Sequence, residues 1–310
     1  MLKRIINALA FATTLALLSQ TPAQAQAIRT FVASNGNDAA VCSRAAPCRT
    51  FAGAVAKTAA GGTVSCVDAS DYGAVTIAKS LSIVCDNTQA GITTATTGVN
   101  VATAATDTVT VSGLDIEGAG TGVNGISLTS GGTLHVHNVR IRGFRGGGAN
   151  RSFGINFVPT AAAKLYVSDS VITDSGFGFG GAGIWVASSG PVISASVWRS
   201  TVDNNLIGMR VFGTPTLVNV TAADSTFNGN STGIQLGNAT MMLHNVVVAN
   251  NSIGISNVNP GGTLRIGNSV VTGNGTGLQT GFGAFFTSYK NNEIRGNTTD
   301  GTPLPSETAE

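Results

Sequence analysis

The chain has 310 residues, of which 41 are Gly and only 10% are charged, and its formal net charge is +2. So few Glu, Lys and Arg exclude a long helical bundle or coiled coil, and Gly without a three-residue period excludes collagen. A hydrophobic content of 42% at almost no net charge excludes a disordered chain, which leaves an ordered protein built from the residues of short strands and turns.

Lys3 and Arg4 precede an apolar run over residues 5–18, and Ala23-Gln24-Ala25 or Ala25-Gln26-Ala27 then supplies an A-x-A cleavage site. This pattern predicts a secretory signal peptide over residues 1–25, and so a secreted protein of the periplasm, cell surface or extracellular space. The run is short of the ~20 residues a spanning helix needs, and no later segment is apolar for long enough, so no membrane span is expected. Removing Lys3 and Arg4 from 17 basic residues leaves 15, against 15 acidic ones. Without a positive surplus, nucleic acid is not an expected partner.

Four cysteines follow: Cys42, Cys48, Cys66 and Cys85. An even number in an exported chain predicts two disulfides, for which three pairings exist. The spacings are not C-x-x-C and no His lies nearby, so a zinc site is not indicated. Residues 49–60 carry Phe51, Val55 and Ala59 at helical spacing, which predicts a short amphipathic helix. Residues 63–67, 74–77 and 81–85 alternate as strands. Cys66 and Cys85 then fall on neighbouring strands and Cys42 and Cys48 close a small loop, which favours the pairs Cys42–Cys48 and Cys66–Cys85.

From Gly98 onward the chain repeats. Gly followed by alternating apolar residues recurs at Gly98, Gly125, Gly154, Gly183, Gly208, Gly233, Gly254 and Gly277, at intervals of 21 to 29 residues. Between these lies a second pattern, apolar-x-apolar-x-(Asn/Asp)-x-x-apolar. Its polar hinge falls at Asn138, Asp169, Arg199, Asp224, Asn245, Asn268 and Asn291, and a later polar residue at Ser175, Asn205, Asn230, Asn251, Asn274 and Asn297. Each unit holds three short strands and is too small to close a core of its own. Stacked units pair each strand with its copy one turn later, in parallel and about 4.8 Å apart, around a continuous interior. Gly at the strand start is expected to permit a sharp corner, and Asn at the turns to hydrogen-bond along the stack. An antiparallel β-sandwich also alternates strands and turns, but it does not require one motif eight times. The reading is an all-β parallel β-helix over residues 28–297. Residues 28–62 form an N-terminal cap containing the helix, and residues 298–310 are a polar tail that covers the far end loosely or is disordered.

The stretches Phe31-Val32-Ala33-Ser34-Asn35-Gly36-Asn37-Asp38, Pro47-Cys48-Arg49-Thr50-Phe51, Gly61-Gly62-Thr63-Val64 and Tyr72-Gly73, with the Asn-turn coils, carry a resemblance. The chain resembles bacterial right-handed parallel β-helix proteins of the pectin-lyase-like superfamily. That resemblance implies a right-handed solenoid whose chemistry sits on the outer face of one sheet, here the Gly-anchored one. It also implies a polysaccharide partner. Polysaccharide lyases and glycosidases belong to that superfamily, as do adhesins and tailspikes.

The outward residue of the Gly-anchored sheet stands two after each Gly: Asn100, Ser127, Asn156, Trp185, Arg210, Gln235, Ser256 and Gln279. The row lacks the clustered carboxylates a Ca²⁺-dependent lyase needs, so Ca²⁺ is implied only under a lyase reading and no other cofactor is expected. It suits sugar binding, with Trp185 as a flat apolar face and Asn156, Arg210 and Gln235 as hydrogen-bonding groups. The Gly-rich loop 176–181 is long enough to fold over Trp185. An enzyme would have to use Asp174, Asp203 and Arg210, with Arg142 one coil before; paired carboxylates are the requirement of a glycosidase. His135 and His137 both point outward from one strand, and His244 lies about four coils, or roughly 19 Å, away, too far to complete a metal site. The leading expectation is a secreted, non-catalytic module that binds polysaccharide or acts at a surface as an adhesin. The alternatives are an acidic-glycan lyase or glycosidase and a purely structural spacer. The oligomeric state is left open.

Overall fold

The computed structural model describes residues 26–147, 151–214, 217–257 and 259–307; the expected signal peptide lies outside them. Among the described residues the strands form three sheets of eleven, ten and nine strands. Each coil gives one strand to each sheet in turn. One such coil runs through Gly132–His137, Arg140–Arg142 and Phe153–Phe157. Every strand pairs in parallel with its counterpart one coil away. The result is a right-handed parallel β-helix of about nine turns. The nine-stranded sheet is the Gly-anchored one.

Alternation along each strand builds the core. In Gly132–His137, Leu134 and Val136 are buried while His135 and His137 turn outward. Down the Gly-anchored sheet, Val99, Ile126, Ile155, Ile184, Met209, Ile234, Ile255 and Leu278 stand in register and are all buried. Residue-on-residue stacking at the strand spacing leaves no face on which a one-residue slip is tolerated.

The expected polar hinges are left-handed. Asn138, Asp169, Arg199, Asp224, Asn245 and Asn268 have φ between 44° and 52°. In the last coil the left-handed residue is Lys290 rather than Asn291. There Asn291 instead accepts a bond from the Asn268 amide at 2.8 Å.

The later Asn residues form a buried ladder. The Asn205 amide donates to Asn230 Oδ1 at 2.9 Å, Asn230 to Asn251 at 2.8 Å, Asn251 to Asn274 at 2.9 Å, and Asn274 to Asn297 at 3.0 Å. Each Nδ2 also reaches a carbonyl of the preceding coil, as Asn251 does to Phe227 at 3.1 Å. From Gly183 onward the repeated glycines make room for this ladder. A Cβ on Gly208 would lie 2.5 Å from the Gly233 carbonyl and 3.0 Å from Asn230 Nδ2, and one on Gly233 would lie 2.6 Å from the Gly254 carbonyl. Their backbones do not adopt positive φ. The glycines therefore serve close approach between coils, not the sharp corner expected from the sequence.

The helix, α1 (Phe51–Lys57), is shorter than the expected 49–60, because from Thr58 the chain joins the eleven-stranded sheet beside Ala27–Val32. Phe51, Ala54 and Val55 are buried over the first coil. The Thr50 hydroxyl caps α1 by accepting from the Gly53 amide at 3.0 Å. Asp38 in turn accepts from the Arg49 amide, the Thr50 amide and the Thr50 hydroxyl at 2.8, 2.9 and 2.7 Å. The two expected disulfides are present, with Cα atoms 4.7 Å apart for Cys42–Cys48 and 5.0 Å for Cys66–Cys85. At the far end the tail docks. Thr299 bridges to Thr276 and Ser306 to Ser288, and Glu307 pairs with Arg265 at 2.9 Å. No helix among the described residues is long and apolar enough to cross a membrane.

Two predictions follow from these contacts. Asn251→Ala leaves the Asn230 amide and the Phe227 carbonyl without their buried partner and is expected to cost about 2–4 kcal/mol. A thermal scan should show a drop of roughly 5–15 °C, and an unchanged midpoint would remove the ladder from the account of stability. The second concerns pH. Burial opposes ionisation of Asp38, but hydrogen bonds from Thr50 and Arg49, aided by the charge of Lys57, outweigh it and hold its carboxyl below the usual 3.8. The stability this carboxylate adds is complete above pH 3.8 and is lost as pH falls through the lower folded value. Asp38→Asn is expected to lower the melting midpoint at neutral pH, with the gap from the parent narrowing as pH falls below 3.8. A gap that stays constant with pH would contradict the assignment.

Candidate functional site

The outward row of the Gly-anchored sheet is continuous. Asn100, Ser127, Asn156, Trp185, Arg210, Gln235, Ser256 and Gln279 are register partners from coil to coil. They are outward because their neighbours on each strand fill the core. Ser127 and Ser256 are buried between longer side chains, and Gln279 is exposed. Asn156 Nδ2 donates to Ser127 Oγ at 3.2 Å, and Ser256 Oγ to Gln279 Oε1 at 3.0 Å. No Asp or Glu lies on any strand of this sheet.

Trp185 and Arg210 are more tied than their sequence positions suggest. The Trp185 ring stacks on Phe153, centroids 6.0 Å apart at 12°, and meets Phe212 at 5.6 Å. The Arg210 guanidinium lies 4.7 Å from the Trp185 centroid and 4.6 Å from that of Phe212. Its Nε donates to Gln235 Oε1 at 2.8 Å and its Nη1 to the Gly180 carbonyl at 2.9 Å. Burial, and the neighbouring charge of Arg151, hold Arg210 below the usual arginine range. The 176–181 loop thus folds toward this row, and its Phe177 and Phe179 face solvent. Gly180 has φ +87°, and a Cβ there would strike Arg210 Nη1 at 2.1 Å. Arg210, unlike Arg142, Arg145, Arg199 and Arg265, has no carboxylate partner among the described residues.

Asp174 and Asp203 are neighbours on adjacent coils of the ten-stranded sheet. The Asp174 amide donates to the Asp203 carbonyl at 3.4 Å. Asp174 sits in a left-handed turn with its carboxylate 3.1 Å from Arg145. Asp203 stands opposite Thr173, and its Oδ1 is buried without a hydrogen bond. Arg210 lies on the adjoining sheet. Arg142, one coil before Thr173, grips Asp115 through two bonds of 3.1 Å and Glu117 at 2.7 Å. This clamp lies in a groove of about 600 Å³ that also holds Asp71 and Arg140.

The histidines behave as surface residues. His135 stacks on Tyr166, and His137 Nδ1 lies 3.0 Å from Ser168 Oγ and 3.3 Å from Asp169. His244 falls in the column of His137, four strands along it. No group of three or more His, Cys, Asp or Glu able to hold a metal occurs among the described residues.

Two features of the eleven-stranded sheet escaped the sequence reading. One is a belt in which Arg199 holds Asp169 with bonds of 2.7 and 2.8 Å and covers the Trp198 ring at 3.8 Å, while Trp198 Nε1 donates to Asp224. The other is Tyr166, an exposed ring at an outward position of Ala163–Ser168. The alternation Lys164-Leu165-Tyr166-Val167 carries the signal for it.

No protein-family model and no curated protein matches the chain. Among solved structures it is similar to pectate lyase Pel9A, with a TM-score of 0.63 at 17% identity, covering 89% of this chain and 80% of that one. A mannuronan C-5 epimerase from Azotobacter vinelandii, the AlgE4 A-module, gives 0.39 at 11% identity over 81% of this chain and 91% of that one. The AlgE6 A-module from the same organism gives 0.33 at 14% over 90% and 87%. The likeness to the pectate lyase speaks for architecture alone, and it agrees with the coil geometry in giving a right-handed parallel β-helix.

Proposed function

We propose that this chain acts outside the cytoplasm and binds polysaccharide without cleaving it, on the outer face of the Gly-anchored sheet. The observation that carries the reading is the carboxylate-free row in register, with Arg210 lacking a carboxylate partner between Asn156 and Gln235. A guanidinium and two amides spaced by the coil repeat offer donors to sugar hydroxyls and carboxylates. Trp185 and Phe212 hold Arg210 in place, so Trp185 acts by positioning as much as by contact. Two disulfides support an oxidising compartment. A solved protein of this fold is a pectate lyase, which supports a polysaccharide as partner. The non-catalytic part of the reading rests on Asp174 being paired with Arg145 and on Asp203 standing a sheet away from Arg210.

The test uses the oxidised protein with acidic and neutral polysaccharides, with and without Ca²⁺, reading both binding and new chain ends. Saturable binding without new ends is expected. The pair Asn156→Ala and Gln235→Ala should weaken it about three- to tenfold, or roughly 0.7–1.4 kcal/mol, with the melting midpoint held. Cleavage that Asp174→Asn or Asp203→Asn abolishes would replace this reading with an enzyme.

A further inference from the structure

The outer face of the eleven-stranded sheet carries a slot of about 290 Å³. Its walls and floor follow one column of outward residues, Tyr166, Ser196, Thr221, Met242 and Arg265, register partners over successive coils. Large side chains stand at the ends of this column and small ones in the middle. Tyr166 to Met242 spans three coils, about 14 Å at the strand spacing, bridged only by Ser196 and Thr221. The neighbouring column adds Ser194 and Asn219 to the floor. None of these four floor side chains makes a hydrogen bond among the described residues, and Asn219 and Thr221 are exposed.

Tyr166 presents one free face to the slot. Its other face stacks on His135, with centroids 4.8 Å apart at 11°. That separation equals the coil spacing, so both rings stand across the solenoid axis. Burial lowers the His135 pKa, which keeps its imidazole neutral as an apolar backing for the tyrosine. Arg265 is the one charged residue in the slot, and Glu307 of the docked tail takes its charge at 2.9 Å. The Met242 side chain stands opposite Tyr166 as an adaptable wall.

We infer that this slot is a second saccharide site, one that takes a neutral sugar chain lying across the sheet. An aromatic face, an apolar wall facing it and a floor of unengaged hydroxyls and an amide are what a pyranose ring requires: one flat apolar face and equatorial hydroxyls. A charge-satisfied slot gives no reward to a uronate. Because the Tyr166 ring stands across the axis, a sugar stacked on it does too, and the chain runs along the strands. This assignment is separate from the Gly-anchored sheet and survives or fails independently of it.

The experiment titrates the oxidised full chain with cellohexaose, xylohexaose and mannohexaose, with tetragalacturonate as the acidic counterpart, by calorimetry. At least one neutral hexasaccharide is expected to bind. Tyr166→Ala should weaken it about tenfold, Tyr166→Phe should hold it within about threefold, and Thr221→Trp, which fills the slot, should abolish it. Melting curves of these surface variants should match the parent. Failure of all three neutral probes, or equal affinity in Tyr166→Ala and parent, overturns the inference. Tetragalacturonate binding that Tyr166→Ala weakens as much as it weakens neutral-sugar binding would also overturn the assignment of a neutral sugar to this slot.

Discussion

The contact on which the later coils of the solenoid depend is the meeting of the glycine column with the asparagine ladder; in the earlier coils the same column meets Ile116, Ile141 and Ile172. Coils can approach to the strand spacing at the corner between the ten- and nine-stranded sheets only where no Cβ intervenes. A side chain at Gly208 or Gly233 would overlap both the next carbonyl and the ladder amide. The ladder fills the space the glycines leave and satisfies amides that would otherwise be buried without partners. From Gly183 onward each element requires the other, and this mutual requirement explains why the two motifs recur together there. It also fixes register, since an Asn shifted by one residue meets an amide it cannot reach.

A fixed register turns the outer surface into columns. Whatever stands outward at one position is followed, one coil on, by the residue at the equivalent position. A column becomes a wall, a floor or a row of donors according to its sequence alone. The Gly-anchored sheet exposes a column of amides and hydroxyls with one arginine. The eleven-stranded sheet exposes a column with large ends and a small middle. The ten-stranded sheet places Asp115, Glu117 and Arg142 together, and they spend their charges on one another. Three chemistries therefore coexist on a chain whose net charge is only +2.

Much of this architecture was legible because it is periodic. Gly98 to Gly277, the hinges from Asn138 to Asn268 and the ladder from Asn205 to Asn297 repeat, and the disulfide partners follow once Cys66 and Cys85 fall on adjacent strands. Non-periodic features were less legible. The helix spacing of Phe51, Val55 and Ala59 continues past Lys57, yet pairing with Ala27–Val32 draws the chain into a strand at Thr58. That competition is between a local preference and a long-range ladder, and only the local half is written nearby. The role of the repeated glycines was read from φ freedom, whereas the relevant fact is a neighbour 25 residues away. Trp185 was legible as outward. Its contact with Phe153 was not, because the register position of Phe153 holds the polar Thr97 and Asn124 in earlier coils, whereas here it joins Ala182 and Ile207 in a small apolar cluster against the ring.

Tyr166 and Trp198 illustrate how the same signal divides between structure and function. Both stand outward on the same sheet, and both are exposed. Trp198 is covered on its face by Arg199 and held at its nitrogen by Asp224, so its polar and apolar capacities are largely used. Tyr166 keeps a face open because the coil after it supplies Ser196, too small to cover the ring. Trp198 is likewise followed in its column by a small residue, Ala223, so what separates the two rings is the partner that the adjoining turn supplies: Arg199 covers Trp198, and no such residue covers the slot face of Tyr166 among the described residues. In this solenoid an exposed ring is thus covered or left open both by the residue one repeat away and by the turn residue beside it in the sequence.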